Sequence, residues 1–208
     1  MALVLPALPL AAVSGQSRPG QIAVPLPGEP PLGGFASQKL AVMPVQFLRG
    51  DSLSLVKSAD WAALRIALDD SIGGAIAARG IGKKWAYAAD IARLAKRNSD
   101  YASDPYSLGA AGFRNPQKKP GDPAPSGVVN NLRSLIALGD ARYALIPVDL
   151  WFGRKAGALH PILSVVLVDG RAGSIVWFSD VIGDASTTFS AAEIGALAAR
   201  VADLISPR

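Results

Sequence analysis

A single α/β domain, one mixed sheet with helices packed on it, is the fold this chain predicts. Three observations carry that expectation. Between Asp140 and Gly183 run three apolar stretches, DARYALIPVDLWF, HPILSVVLVDG and SIVWFSDVIG, rich in β-branched and aromatic residues and separated by Gly, Arg and Asp. On both sides of this block, apolar residues recur at the three- and four-residue spacing of amphipathic helices. The length of 208 residues suits one domain with extensions, and no apolar run reaches the 18 or so residues of a membrane-spanning helix.

In chain order the expected elements are β-α-(β)-α-α-β-β-β-α. Residues 1–16 resemble an atypical or truncated export signal. The short apolar run LVLPALPLAAV is followed by small residues, but no Lys or Arg precedes Arg18, and Pro6 and Pro9 interrupt the run. Residues 17–37 hold five prolines and four glycines and predict an extended tether. The domain proper is expected over 38–208. Its first strand is Lys39–Phe47, bulged or exposed at Pro44, which lacks a donor. Asp60 is the expected cap of a helix with Trp61, Leu64, Leu68, Ile72, Ala75 and Ile76 inward, and Arg65 and Asp69 paired on its outer side. Gly73 and Gly74 each cost that helix about 1 kcal/mol relative to Ala, which suggests close approach of a neighbour.

Lys83–Tyr87 reads as a short strand, with Trp85 and Tyr87 on its inner face, followed by a short helix ending near Asn98. Residues 99–125, with five prolines, read as a long flexible loop. A third helix is expected from Ser126 as cap, with Val129, Leu132, Leu135 and Ile136 inward. Of the three strands, the first carries Pro147 and Asp149 and is expected at an edge or bent. The second is apolar on both faces and central; the third pairs with it through the Asp169–Gly173 turn. Ser190 and Glu193 form a capping box for the last helix, with Phe189 and Ile194 as its hydrophobic staple.

Charge is unevenly placed. The net formal charge is +5, yet residues 79–119 hold nine Lys or Arg against three Asp. Lys83, Lys84, Arg93, Lys96, Arg97 and Arg114 are therefore candidates for contact with a partner or an anion. Trp85, Tyr87, Tyr101 and Tyr106 lie in the same segment and have the π-faces on which bases stack, but a strand interior accounts more simply for the first two, so nucleic acid is the lesser reading.

Catalytic chemistry finds little footing. Cysteine is absent, which removes disulfides, thiolate nucleophiles, Cys-based metal sites and a lipid carried on cysteine. The sole histidine, His160, precedes Pro161 at a strand start, with no G-x-S-x-G elbow in the chain. Acid pairs such as Asp69-Asp70 and Asp180/Asp184 lack the further oxygen ligands a calcium ion needs. Gly80-Ile-Gly-Lys-Lys lacks the spacing of a phosphate loop and follows a helix where a P-loop follows a strand. No catalytic, cofactor or metal residue is assigned.

Three segments carry a family resemblance. KLAVMPVQFLRGD (39–51) resembles the opening strand of the bacterial envelope domains typified by CsgG, LpoB, PelC and the N-terminal domain of TolB. ARYALIPVDLWF (141–152) resembles their later strand. DGRAGSIVWFSDVIGDAS (169–186) resembles their hairpin, with Gly173 and Trp177 at matching places. The resemblance implies a non-enzymatic, periplasmic, secreted or envelope-associated α/β domain, without cofactor, working through contacts with an unidentified envelope protein. It implies no catalytic residues. Several such proteins carry a cysteine-linked lipid, which this chain has no residue to hold. The alternative function is a binding module for an anionic polymer or nucleic acid through 79–119; the alternative location is the cytoplasm.

Overall fold

The three apolar runs form the middle of a five-stranded mixed sheet. The structure, a computed structural model, describes residues 28–49, 61–81, 83–115, 118–186 and 190–207. The strands are β1 (Leu40–Val42), β2 (Phe47–Leu48), β3 (Tyr143–Lys155), β4 (Ala158–Asp169) and β5 (Ser174–Ile182). They lie in the order β1-β3-β4-β5, with β2 also beside β3. β1 and β2 run parallel to β3; β3, β4 and β5 are successively antiparallel. Helices α1 (Trp61–Ala77), α2 (Ala88–Arg97), α3 (Ser126–Leu138) and α4 (Ala191–Asp203) complete the fold.

Alternation along the strands feeds two cores. Leu145, Leu163, Val165 and Leu167 pack with Leu68, Ile72 and Ile76 of α1 and Leu197 and Val201 of α4. Ala144, Ile146, Val166 and Val168 face Ile91 and Ala95 of α2 and Val128, Leu132 and Leu135 of α3. Helices thus cover both faces, as the patterning predicts.

Proline decides where the strands differ from expectation. The first strand is split at Pro44 into β1 and β2, although Met43 N–H still donates to Leu145 O (2.8 Å) and Gln46 N–H to Pro147 O (3.0 Å). β3 is not an edge strand: β1 and β2 flank it on one side and β4 on the other. Its Pro147 is accommodated by an irregularity between Pro147 and Asp149, the bend foreseen as the other option. That irregularity shifts the alternation, so Leu145 and Leu150 both reach the α1/α4 core.

Residues 83–87 make a single bridge rather than a strand, Ala86 pairing with Ala41, with Trp85 and Tyr87 against the α1/α4 core. α3 begins at Ser126 with Pro125 before it, so the serine does not cap the helix through its side chain. Val128 is buried where Val129 was expected. The capping box of α4 is present: Ser190 N–H donates to Glu193 Oε2 (2.9 Å), and Ala192 N–H donates to Ser190 Oγ (3.3 Å). Asp60 and Phe189 lie outside the described residues.

Residues 1–27, the expected export signal and most of the expected tether, lie outside the described residues; the tether's last part and the 99–125 loop are packed. Leu32 is buried, and its N–H donates to Leu204 O (2.8 Å). Phe35 meets Tyr143 edge-on with ring centroids 5.1 Å apart, so residues 28–37 lie on the domain. The 99–125 connection buries Ala102, Leu108, Ala110, Phe113 and Ala124. The buried Gln46 side chain fastens it: Nε2 donates to Pro44 O (2.7 Å) and Pro105 O (2.9 Å), while Oε1 accepts from Leu108 N–H (3.0 Å).

The two helical glycines separate cleanly. A Cβ on Gly73 would stand 3.3 Å from the Tyr87 ring, whereas one on Gly74 would meet nothing within 4 Å. Gly74→Ala is therefore expected to stabilise the protein by about 0.5–1 kcal/mol in urea unfolding, by helix propensity and a less flexible unfolded chain. Gly73→Ala should gain less or lose. Equal gains would show that Tyr87 does not constrain that turn.

Candidate functional site

The basic candidates fall into two places. Lys83 and Lys84 are exposed just before α2. Arg93, Lys96 and Arg97 are exposed on α2, at the i, i+3, i+4 spacing that shares one helix face. Arg93 is paired with Asp90 at 3.1 Å. The ten-residue helix is about 15 Å long, so the two lysines and the Lys96/Arg97 end flank it as separate charges. Arg114 belongs elsewhere. It lies 4.0 Å over the Phe47 ring and pairs with Asp149, whose side chain is buried.

Asp149 sits beside β2, where two guanidinium groups converge on it. Arg49 Nε donates to Oδ2 at 2.6 Å; Arg114 Nε lies 3.2 Å from Oδ2, and its Nη2 donates to Oδ1 at 3.3 Å. Arg49 also lies 5.1 Å over the Trp151 ring. The cluster joins the β1–β2 segment, β3 and the 99–125 connection, which makes it a clasp. Charge-assisted, forked contacts of this kind are the strong ones.

Asp69 is the most perturbed group. It was expected on the outer side of α1, but it is 6% exposed and turned inward. Oδ1 accepts the Val45 N–H at 2.8 Å, closing the gap that Pro44 opens in the first strand. Oδ2 is buried with no hydrogen-bond partner, as is Nε of Arg65 one turn earlier. Burial pushes the carboxyl from the ordinary 3.8 up to about 7, although Val45 N–H, Tyr106 and Arg65 all favour the carboxylate; neighbouring Asp70 adds to the rise. Arg65 lies 5.7 Å over the Tyr106 ring, and burial followed by Asp69 raises the Tyr106 phenol.

The other acids are tied to the fold. Asp169 is held below the carboxylate range despite burial, which acts upward, because Arg142 and the N–H groups of Ala172 and Arg171 bind it. Glu193 is held low by Ser190 in the capping box. His160 Nδ1 lies 2.9 Å from Gly183 O, where it joins β4 to the chain beyond β5. Among the described residues no group of three or more His, Asp or Glu is placed to hold a metal, and no helix is long and apolar enough to cross a membrane.

Several solved structures are similar to this chain at low identity and low TM-score. The chain is similar to the C-terminal domain of LpoB from Salmonella enterica, at 15% identity over 71% of this chain and 82% of that one, with a TM-score of 0.39. A PelC dodecamer from Paraburkholderia phytofirmans matches at 11% identity over 82% and 89%, with a TM-score of 0.40. Lipoprotein GNA1162 from Neisseria meningitidis matches at 15% identity over 82% and 99%, with a TM-score of 0.39. LpoB and PelC are among the proteins that the three sequence segments resemble. No family model and no curated protein matches the chain.

Proposed function

We propose that this chain is a non-enzymatic domain of the bacterial cell envelope, periplasmic or secreted, that acts through contacts with another protein. The observation that carries this reading is the employment of its polar groups. Asp149 clasps two arginines, Asp169 and Glu193 bind backbone N–H groups, His160 faces a carbonyl, and Asp69 accepts from Val45. Each is bonded to the chain's own groups, in a local cap or turn or across the fold; catalytic acids and bases would face a substrate cleft instead. The apolar stretch 3–13 and the resemblance of residues 39–51, 141–152 and 169–186 to envelope domains support the location.

Fractionation of the native host carrying a tagged full chain, followed by cross-linked capture, tests this. The protein is expected in the envelope fraction with a discrete protein partner. Full-length protein confined to the cytosol contradicts it.

A second reading rests on the exposed α2 face. An anionic polymer would meet Lys83, Lys84, Arg93, Lys96 and Arg97. Changing all five to Ala or Ser is then expected to abolish salt-sensitive retention on heparin, with the salt slope falling by up to about five. Unchanged retention removes this reading.

A further inference from the structure

A strand inside a sheet bonds on both sides; an edge strand leaves one side open to another chain. The edge at β1 is closed by Ala86: Val42 N–H donates to Ala86 O (2.8 Å), and Ala86 N–H donates to Leu40 O (3.0 Å). The first residues of β5 are closed too. Ile175 N–H donates to Asp122 O (2.8 Å), Gly121 N–H to Ile175 O (2.8 Å) and Ala124 N–H to Gly173 O (2.9 Å). Residues 121–124 thus lie along that edge through a single bridge, Pro123 to Ser174. Beyond them, Val176–Ile182 has β4 as its only neighbouring strand among the described residues.

The side chains along this open length are sorted by face. Phe178, Asp180 and Ile182 stand opposite Val166, Ser164 and Ile162 of β4, and Phe178 packs on the α2/α3 core. Trp177 and Val181 belong to the other core, with Ser179 between them. Phe178, Ser179 and Trp177 are half-buried, while Asp180 is exposed. Asp180 is the only charged residue of β5, and Ser164 Oγ donates to its Oδ1 at 2.6 Å, fixing the carboxylate on that face.

We propose that the open edge of β5 receives an extended segment of a partner protein, running on from the bridge between Pro123 and Ser174. The incoming strand places a Lys or Arg beside Asp180 and apolar residues two positions to either side, beside Phe178 and Ile182. Main-chain bonds supply affinity and the alternate side chains specificity, as in other strand additions. A second copy of β5 is a poor occupant. The strand has no cation to set against Asp180, and an antiparallel register centred there opposes two carboxylates. This proposal rests on the reading of the domain as one that works through protein contacts.

The test titrates the full chain with a blocked synthetic peptide, threonine–valine–threonine–lysine–threonine–valine–threonine, and with its glutamate counterpart. Backbone amide NMR follows the site. The lysine peptide is expected to bind about tenfold more tightly, with shifts confined to residues 176–182, since opposite charges across strands attract and like charges repel. Asp180→Lys should invert the preference and Asp180→Asn remove it, both at unchanged thermal stability. Absence of binding, equal affinity for the two peptides, or a wild-type dimer formed through β5 overturns the proposal. In the host, a partner captured equally by the wild type and Asp180→Lys overturns this edge but leaves the protein-contact reading standing. Peptide selectivity without any captured partner does the reverse.

Discussion

Asp69→Asn is expected to stabilise the protein at pH 8 by roughly 2–4 kcal/mol and to flatten its stability between pH 5 and 8. The folded carboxyl binds its proton near pH 7, the unfolded one near 3.8. Between those values the folded state holds more protons than the unfolded one, so stability falls as pH rises. The contribution is fully present below about pH 4, is lost progressively up to about pH 7, and is absent above it. A shift of about three units is worth about 4 kcal/mol, and asparagine keeps an oxygen for Val45 N–H while carrying no charge. Its amide beside the unpartnered Arg65 Nε reduces the gain. Urea unfolding of both proteins from pH 5 to 8 checks this. A wild type with flat stability across that window, or a variant that keeps the wild-type slope, refutes the account of Asp69.

The double variant Arg49→Ala, Arg114→Ala should lose about 3 kcal/mol, the lower part of the range for stranding a buried charge, because both arginines are partly exposed. Either single change should cost much less, since one guanidinium still serves Asp149. Adding Asp149→Asn to the double variant should recover most of the loss, because the uncompensated charge causes the damage. Additive single losses with no recovery would mean that the arginines act mainly through Phe47 and Trp151, on which they stack.

How far the chain could be read beforehand follows from which residues act locally. The α4 capping box and the Asp169–Gly173 hairpin depend on neighbours within a few positions, and both were legible. β3 was harder: Pro147 and Asp149 are edge signals by themselves, and only the irregularity between them and the clasp from Arg49 and Arg114 make an interior place tolerable. Asp69 was misplaced because an i,i+4 pair with Arg65 ordinarily marks a solvated face. Its real partner, Val45, is 24 residues away and in need of a bond beside Pro44. The 99–125 connection misled through its prolines. They forbid regular helix and strand, yet they do not prevent Leu108 and Phe113 from being buried once Gln46 fastens the backbone. Arg114 lay among basic neighbours in the chain but is drawn away by Asp149, a long-range pairing that composition does not reveal. The open β5 edge depends on the order of strands in the sheet and had no signal in the sequence.

The most direct test of the central claim is photocrosslinking in intact host cells, with a photoreactive residue at Ser179 and, as control, at Gly74. The account predicts a discrete adduct with one envelope protein from position 179, absent from position 74 and weakened by Asp180→Lys. No protein adduct from position 179, with the chain recovered full-length in the cytosol, would contradict it.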